Sequence, residues 1–243
     1  MTRTILITGA SRGIGRASAI ELARNGFDIV IHYNRGKLEA ESLLKEINAL
    51  GVKARTLQFD VGDANATRTA IEKDIAENGA YWGILSNAGL ARDGAFPALS
   101  EADWSDVINV DLNGFFNVVQ PAIMPMLHLK DGGRIIAMSS VSGIMGNRGQ
   151  VNYSAAKAGL IGAVKALAVE LGRRRITVNC IAPGMIETEM LKIVPEAYDA
   201  AMSMIPMRRT GKPEEVAALV AFLMSDKASY ITRQVISING GMV

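Results

Sequence analysis

The stretch Thr4-Ile-Leu-Ile-Thr-Gly-Ala-Ser-Arg-Gly-Ile-Gly15 passes from an apolar run through three glycines into a helical pattern. The apolar run predicts a buried strand, and the apolar spacing after Ile14 predicts a helix. Glycines let a backbone approach a pyrophosphate closely, and the N-terminus of a helix presents free N–H groups with a partial positive charge. The stretch therefore predicts the strand, turn and helix that open a dinucleotide-binding fold. The alternative is an ordinary glycine-rich loop.

Outward from this stretch, apolar strands alternate with longer helices. Strands are predicted near residues 3–8, 27–33, 53–58, 82–86, 133–139, 175–181 and 234–238, and helices near 14–25, 37–50, 64–77, 101–128, 153–173 and 213–225. This βαβ alternation implies a parallel sheet with helices on both faces. The predicted fold class is α/β, a single Rossmann-type, doubly wound domain over residues 1–243. In such sheets ligands bind beyond the carboxyl ends of the strands, so motifs that follow strands should converge on one edge.

The composition indicates a large apolar core without a bias toward nucleic acid. Apolar residues make up 49% of the 243 residues, and 26 Lys and Arg against 24 Asp and Glu give a net charge of +2. We therefore expect no nucleic-acid partner. No apolar run approaches the roughly 18 residues of a membrane span, and the first predicted strand begins close to Met1, so we expect no signal peptide and a cytoplasmic location. The single Cys180 favours a small core thiol over a nucleophile, and no metal site is predicted.

A hydroxyl, a phenol and an ammonium group are spaced to meet one carbonyl oxygen. Ser140 follows an apolar run, and Tyr153 and Lys157 stand four residues apart in a predicted helix, where they share one face. A free phenol has a pKa of about 10, and a neighbouring ammonium favours the phenolate, which suits general acid–base work. The serine hydroxyl can donate a hydrogen bond to the same oxygen. The alternative for a lone Tyr-x-x-x-Lys is a surface tyrosine beside a solvated lysine.

Together these motifs resemble the short-chain dehydrogenase/reductase family along nearly the whole chain. The resemblance rests on the glycine turn, Asp60-Val61, Ser86-Asn-Ala-Gly89, Ser140, Tyr153-x-x-x-Lys157 and Pro183-Gly-Met-Ile-Glu-Thr188. Within the family the chain is most similar to the 3-oxoacyl-acyl-carrier-protein reductases, on the stretches 145–153, 184–190 and 230–232 and the terminal Asn239-Gly-Gly-Met. The resemblance implies a sheet of seven strands.

The resemblance also implies the roles of individual residues. Tyr153 would donate a proton to the substrate oxygen, Lys157 would hold the nicotinamide ribose, and Ser140 would polarise the carbonyl. The implied cofactor site consists of Gly9, Ser11, Arg12, Gly13, Ile14, Gly15, Asn34, Arg35, Asp60, Val61, Asn87, Ala88, Gly89, Tyr153, Lys157, Pro183, Gly184, Ile186 and Thr188. For each polar member, the alternative is ordinary loop capping.

The end of the second predicted strand indicates which cofactor is used. NAD-preferring folds keep an acid there for the ribose hydroxyls, whereas NADP users supply cations for the 2′-phosphate. The sequence Ile31-His-Tyr-Asn-Arg-Gly-Lys37 has no acid before Glu39, and Arg12 stands in the glycine turn. A guanidinium can donate two hydrogen bonds to one phosphate. We predict NADPH; the alternative is that Arg35 and Lys37 are simply solvated.

Two surface stretches suggest how a substrate is received. Residues 185–210 are rich in Met, which fills irregular apolar space and suits a mobile lid over acyl chains. The alternative is a helical hairpin with Met as core filler. The run Gly172-Arg-Arg-Arg175 would supply cations for an acyl carrier protein, the partner that the resemblance implies. The alternative is a favourable interaction with the dipole of a helix end.

Two predicted helices, 101–128 and 153–173, carry apolar faces beyond what one sheet should cover. By resemblance they form a dimer interface, and the last helix and strand form a second interface. Two such interfaces would give a homotetramer. The alternative is a monomer whose small residues only pack on the sheet.

Asp111 is the sharpest departure from the family, because most relatives have Asn in this position. By resemblance, that Asn lies behind the catalytic Lys and its backbone carbonyl holds a water that feeds protons toward the Tyr. We expect Asp111 to add an acceptor-only carboxylate near Lys157 that keeps the ammonium protonated, and we count it among the candidate catalytic residues. The alternative is that Asp111 bonds a helix neighbour.

The resemblance implies NADPH-dependent reduction of a 3-oxoacyl group on acyl carrier protein to the 3-hydroxyacyl product. This reaction belongs to fatty-acid synthesis or to a related polyene or polyketide-type synthesis. One alternative is a reductase of coenzyme A thioesters or small ketones. Another is a catalytically silent scaffold that binds the cofactor without turning over.

Overall fold

A parallel sheet forms the centre of the molecule, in a computed structural model that describes residues 3–189, 191 and 198–243. Its strands are β1 Thr4–Ile7, β2 Asp28–Tyr33, β3 Ala54–Gln58, β4 Gly83–Ser86, β5 Gly133–Met138, β6 Ile176–Pro183 and β7 Val235–Ile238. They lie in the order β3-β2-β1-β4-β5-β6-β7, and every neighbouring pair is parallel. The predicted α/β fold class is therefore confirmed.

Helices connect the strands and cover both faces of the sheet. They are α1 Gly13–Arg24, α2 Lys37–Ala49, α3 Ala64–Asn78, α4 Glu101–Val107, α5 Gly114–His128, α6 Ser142–Met145, α7 Val151–Leu171, α8 Tyr198–Ser203 and α9 Pro213–Met224. The predicted helix 101–128 is interrupted by a π-helical segment, Ile108–Asn113, between α4 and α5. Within residues 3–189 and 198–243, no helix combines the length and apolar character needed to cross a membrane.

The alternation of side chains along β1 divides the core into two layers. Ile5 and Ile7 pack with Leu22 of α1 and Val220 of α9 on one face. Leu6, between them, points to the opposite face, which is covered by α3, α5 and α7. All three β1 side chains are fully buried, and burial of each contributes about 1.5–3 kcal/mol. The near-continuous apolar strands thus follow from a sheet that is covered on both faces.

The strand order places the site. The chain moves outward from β1 to β3 and then returns to add β4 on the other side of β1, so the direction of winding reverses between β1 and β4. A crevice forms at the carboxyl ends of the strands where this reversal occurs. The loops that follow β1, β4, β5 and β6 all open on that edge.

The region predicted as a lid is only partly described. Within 185–210, positions 190 and 192–197, which include Met190 and Pro195, lie outside the described residues. Met202 packs in a small apolar cluster with Ala201 and Ile205, whereas Met204 and Met207 are exposed. The described part thus combines methionines that fill a local core with methionines open to solvent.

Candidate active site

The glycine turn after β1 has a backbone that only small residues can provide. Gly9 and Gly13 have φ values of +63° and +54°, in the left-handed region that favours glycine. A Cβ on Gly9 would lie 3.0 Å from Ala88 Cα, and a Cβ on Gly15 would collide with the Gly9 carbonyl oxygen. The turn is therefore a tight cradle that leads into the N-terminus of α1.

Thr8 and Asn87 fasten this turn to the loop after β4. The Thr8 hydroxyl oxygen accepts hydrogen bonds from the backbone N–H groups of Asn87 and Ala88, at 2.9 and 3.0 Å. The Asn87 side-chain amide donates to the carbonyl oxygens of Thr8 and Gly9, at 3.0 and 3.2 Å. Two loops that are about eighty residues apart in sequence therefore form one rigid floor.

His32 of β2 supports the turn from beneath. The Gly9 N–H donates to His32 Nδ1 at 3.1 Å, so Nε2 carries the proton and donates to the Phe59 carbonyl oxygen at 3.0 Å. Burial lowers the pKa of His32 to about 4, against smaller raising effects of the Phe59 carbonyl and Asp60. The imidazole is therefore neutral at pH 7, as an acceptor for the Gly9 N–H must be.

The loop after β5 packs directly on α7 and brings Ser140 to the site. The Ser139 hydroxyl donates to the Lys157 carbonyl oxygen at 2.9 Å, and a Cβ on Gly143 would lie 2.7 Å from the Lys157 carbonyl carbon. Ser140 Oγ accepts a hydrogen bond from the Ser142 N–H at 3.1 Å. That bond uses a lone pair of Ser140 and leaves its hydroxyl proton for another acceptor.

Tyr153 and Lys157 lie one turn apart on α7. Lys157 Nζ is 5.3 Å from the centre of the Tyr153 ring and donates to the Met138 carbonyl oxygen at 3.1 Å. Burial lowers the pKa of Lys157, but the Asp111 carboxylate and Tyr153 outweigh it, so the pKa ends above its ordinary value. A buried, charged ammonium thus stands beside the half-buried phenol.

The π-helical segment presents Asp111 to Lys157. Asp111 Oδ2 lies 2.9 Å from Lys157 Nζ, and the two side chains are 0% and 4% exposed. Asp111 Oδ1 accepts the Leu90 N–H at 2.8 Å, while Oδ2 has no further hydrogen-bond partner in the described structure. Gly89 adjoins this pair, since a Cβ there would lie 3.0 Å from Oδ2. The carboxylate therefore joins Lys157 to the loop after β4.

The other predicted cofactor residues fall at the same edge. Val61 is buried, and Asp60 is exposed with Oδ1 accepting the Gly62 N–H at 2.9 Å. Pro183 ends β6, and Gly184 donates its N–H to the Ile238 carbonyl at 3.0 Å. Ile186 is buried and pairs with Gly211, and Thr188 Cγ2 would lie 3.3 Å from a Cβ on Gly13. The segment after β6 thus reaches back to the glycine turn.

A cavity of about 440 Å³ opens where the glycine turn meets the start of α2. Its lining residues are Ser11, Arg12, Gly13, Arg16, Leu38, Glu39, Ser42 and Glu189. Of the cations considered for a 2′-phosphate, Arg12 lines this cavity, whereas Arg35 and Lys37 do not. Asn34 and Arg35 are exposed just beyond β2 and lie outside this lining.

Several supporting residues have no individual role predicted from the sequence. Asn152, fully buried, accepts the Tyr153 N–H at 2.8 Å and donates to the carbonyls of Arg92 and Asp103. Gln150 joins Asp93 to Ser142. Their importance arises from contacts between loops that are about fifty residues apart, so local pattern could not reveal them. For Thr8 and His32, position at the end of a predicted strand was the available signal.

The structure also places the lone cysteine and the arginine run. Cys180 is fully buried in β6, and burial raises the pKa of its thiol to about 12, as expected of a core thiol. Arg173 and Arg174 lie exposed in a 3-10 turn that follows α7. Because this turn precedes β6, the two cations lie at the amino ends of the strands, opposite the edge that carries Ser140 and Tyr153.

The arrangement can protonate an oxygen anion. A phenol beside a buried ammonium and a serine hydroxyl meet at the edge where a glycine cradle offers a site for a dinucleotide. Within the described residues, no group of three or more His, Cys, Asp or Glu side chains could hold a metal ion. The phenol, the ammonium and the serine hydroxyl suit acid–base chemistry on a carbonyl or alcohol oxygen.

Known proteins similar to this chain include several reductases of acyl-carrier-protein substrates. A family model described as Enoyl-(Acyl carrier protein) reductase matches residues 9–243. The chain is 54% identical to the 3-oxoacyl-acyl-carrier-protein reductase FabG of Aggregatibacter actinomycetemcomitans, with 100% of both chains covered. It is 43% identical to the FabG proteins of Staphylococcus aureus and Thermotoga maritima, with 98% of each of those proteins covered and 100% and 99% of this chain.

Proposed function

The chain belongs to the short-chain dehydrogenase/reductase family, and we propose that it reduces 3-oxoacyl groups on acyl carrier protein to 3-hydroxyacyl groups with NADPH. The observation that carries the proposal is the pairing of Tyr153 with a buried, charged Lys157, 5.3 Å from ring centre to Nζ, beside the Ser140 loop. The names of full-length relatives at 43–54% identity support the 3-oxoacyl substrate. A reductase of this kind would serve fatty-acid synthesis or a related polyene or polyketide-type synthesis.

The residues of the glycine turn fit a dinucleotide. The lack of side chains at Gly9 and Gly15 lets the turn pack tightly on the floor, and the turn leads into the N-terminus of α1, where a pyrophosphate would bind. Thr188 lies close to Gly13 and would enclose the same group. When bound, the reduced nicotinamide supplies the hydride for C3 of the substrate. We assign its ribose to Lys157, beside Tyr153, and its adenosine end to Arg12, Asp60 and Val61.

The chain's own residues would supply the proton and orient the substrate. Ser140, whose oxygen already accepts the Ser142 N–H, would donate a hydrogen bond from its hydroxyl to the substrate's 3-oxo oxygen. Tyr153 would transfer its phenolic proton to that oxygen as negative charge develops there. Lys157 stabilises the phenolate that remains, because it is buried within 5.3 Å of the ring. Solvent would then return the proton to Tyr153.

Asp111 has a positioning role in this proposal. Its two oxygens hold the Lys157 ammonium and the Leu90 N–H, so it fixes both the catalytic lysine and the cofactor loop after β4. The two donors approach from different sides, and a carboxylate has an acceptor oxygen for each of them. This geometry favours the proposed electrostatic role over a bond to a helix neighbour.

The proposed assembly is a cytoplasmic homotetramer that receives an acyl carrier protein. Apolar side chains are exposed on the helices predicted to form the interfaces, among them Phe116 and Met124 of α5, Val169 of α7 and Phe222 of α9. Covering such surfaces is a usual reason for association. A single mass of about 25.9 kDa by light scattering would contradict the tetramer.

A substrate panel tests the proposed activity. With NADPH oxidation as the readout, we expect a 3-oxoacyl chain on acyl carrier protein to give the highest kcat/KM. The coenzyme A thioester with the same acyl chain should be poorer, chiefly through KM. The corresponding enoyl thioester should not be reduced. Higher kcat/KM for the enoyl or coenzyme A substrate would replace the proposal with that activity. Tight NADPH binding without turnover of any keto substrate would favour the scaffold.

Reversing the charge of two arginines away from the catalytic residues tests carrier recognition. If exposed Arg173 and Arg174 steer an acidic carrier, replacing both by Glu should raise KM for the carrier-linked substrate. The coenzyme A thioester should be nearly unaffected, and added salt should mimic the mutation. Equal effects on both substrates would assign the arginines a structural role.

The cofactor preference gives a second prediction. Wild-type enzyme should favour NADPH over NADH by at least about tenfold in kcat/KM, which corresponds to about 1.4 kcal/mol of differential binding. Arg35→Asp should narrow or reverse that ratio, because it places an acid at the end of β2. Lys45→Asp, the same charge change at an exposed residue of α2 outside the cavity that Arg12 lines, is the matched control and should leave the ratio largely intact. Equal use of both cofactors by the wild type would refute the NADPH assignment.

A further inference from the structure

Arg12, the arginine of the glycine turn, is already engaged by a carboxylate of its own chain. Its Nη1 donates a hydrogen bond to Glu189 Oε2 at 2.9 Å. The two side chains are 70% and 72% exposed, so the pair lies at the surface rather than in the core. Glu189 follows Thr188, which packs near Gly13, and this brings the carboxylate to the turn.

The pair stands where the adenosine end of a cofactor would lie. The 440 Å³ cavity has Ser11, Arg12 and Gly13 on one side and Leu38 and Glu39 of α2 on the other, and Glu189 also lines it. The loop after β2 closely approaches the turn, since a Cβ on Gly36 would lie 3.0 Å from Ser11 Oγ. In this fold the ribose 2′ position lies at the end of the second strand. A 2′-phosphate would therefore meet Arg12 beside Glu189.

We propose that Glu189 is a specificity-determining residue, which competes with the 2′-phosphate of NADPH for Arg12 and so weakens the binding of the phosphorylated cofactor. The inference rests on the proposed use of NADPH. A carboxylate and a phosphate accept hydrogen bonds from the same guanidinium fork, and two anions at one fork repel each other. NADH has no 2′-phosphate, so its binding does not require the ion pair to open.

The size of the effect follows from the exposure of the pair. Exposed ion pairs contribute little because solvent screens them, so release of Glu189 should change affinity by about two- to fivefold. The change should shrink as salt is added. Competition of this size would lower the affinity for NADPH without removing the preference for NADPH over NADH that Arg12 provides.

The test compares charge-neutralised variants by calorimetric titration. We expect Glu189→Gln to bind NADPH about two- to fivefold more tightly than the wild type and to bind NADH with unchanged Kd. Glu214→Gln is the matched control: Glu214 shares the wall of a neighbouring cavity of about 710 Å³ with Glu189. It removes the same charge, and it should change neither Kd.

A double-mutant cycle ties the effect to Arg12. In an Arg12→Gln background, Glu189→Gln should no longer alter NADPH affinity. Weaker NADPH binding by Glu189→Gln would overturn the inference, because it would mean that the carboxylate orients Arg12 for the phosphate. Equal tightening of NADPH and NADH would overturn it as well, since the competition would then concern the pyrophosphate.

A pair of fragments separates this inference from the proposed cofactor preference. Adenosine 2′,5′-bisphosphate and AMP differ only in the 2′-phosphate, and Glu189→Gln should tighten binding of the first alone. If wild-type enzyme binds NADPH and NADH equally, the NADPH assignment fails. If Glu189→Gln tightens binding of the bisphosphate alone, the competition at Arg12 is still supported. If it does not tighten that binding, the competition is refuted.

Discussion

Tyr153→Phe is expected to lower kcat for 3-oxoacyl reduction by at least about 100-fold, the usual effect of losing a general acid. Phenylalanine keeps the ring that lies 5.3 Å from Lys157 Nζ, and it removes only the hydroxyl. The Kd for NADPH should therefore stay close to the wild-type value. Steady-state kinetics with the carrier-linked substrate and a fluorescence titration of NADPH measure the two quantities.

The matched control makes the same chemical change where it should not matter. Tyr230 is fully exposed, and Tyr230→Phe should keep kcat within about twofold of the wild type. A Tyr153→Phe variant that retains more than a third of wild-type kcat would remove this phenol from the mechanism. A loss of NADPH binding in parallel with kcat would instead point to a structural role.

The fold was accessible from sequence because its signals are local. Apart from the edge strand β3, each strand is mainly a short apolar run, and each of the longer helices has a period that the sheet-facing residues must keep. Two short helices, Ser142–Met145 and Tyr198–Ser203, escaped prediction because four to six residues carry too little periodicity. The π-helical segment Ile108–Asn113 also escaped, since its apolar pattern continues that of the helices on either side.

The residues of the candidate site also differ in whether local sequence can predict them. Gly9, Ser140 and Tyr153 each belong to a motif with fixed spacing, so sequence alone can nominate them. The groups that hold them, such as His32 beneath Gly9 and Asn152 beside Tyr153, depend on which strands and loops become neighbours. Predicting those contacts requires the strand order, and a one-dimensional pattern does not contain it.

At the adenosine end of the proposed cofactor site, the charged residues next to β2 did not predict which residues line the cavity. Cations after β2 were expected to meet the 2′-phosphate, yet Arg35 and Lys37 lie outside the cavity that Arg12 lines. Glu189, 177 residues away in sequence, pairs with Arg12. A residue of a distant loop therefore contributes to the charge of this cavity, together with Arg16 and Glu39.

The Asp111–Lys157 pair should make the largest contribution to stability of any ion pair in the site. Both side chains are buried, and removing one partner of a buried pair leaves an uncompensated charge, at a cost of about 3–5 kcal/mol. Asp111→Leu should lower the free energy of unfolding by about that amount, because Lys157 keeps only the Met138 carbonyl and the Leu90 N–H loses its acceptor. Urea unfolding measures the change.

The pH for this measurement follows from the sign of the shift. The pKa of Lys157 is raised in the folded protein, so its contribution is fully present below its ordinary value of 10.5 and is lost as the pH rises through the folded value. Measurements near neutral pH therefore capture the whole effect. Asp93→Leu is the matched control, because it makes the same substitution at an exposed carboxylate. Asp93 accepts a hydrogen bond from Gln150 and takes no part in the Asp111–Lys157 pair. An equal loss in both variants would mean that the buried ion pair adds nothing specific.

Asp111→Asn separates the positioning role from simple stability. An amide has one acceptor oxygen where the site offers two donors, so it can satisfy Leu90 or Lys157 but not both. We expect this variant to retain more than a tenth of wild-type kcat, because the phenol, the ammonium and the serine remain. Its pH profile should change, because burial lowers the pKa of Lys157 and the Asp111 carboxylate would no longer oppose that effect. An unchanged profile would place Asp111 outside the proton chemistry, and an inactive wild type that Asp111→Asn restores would favour the scaffold.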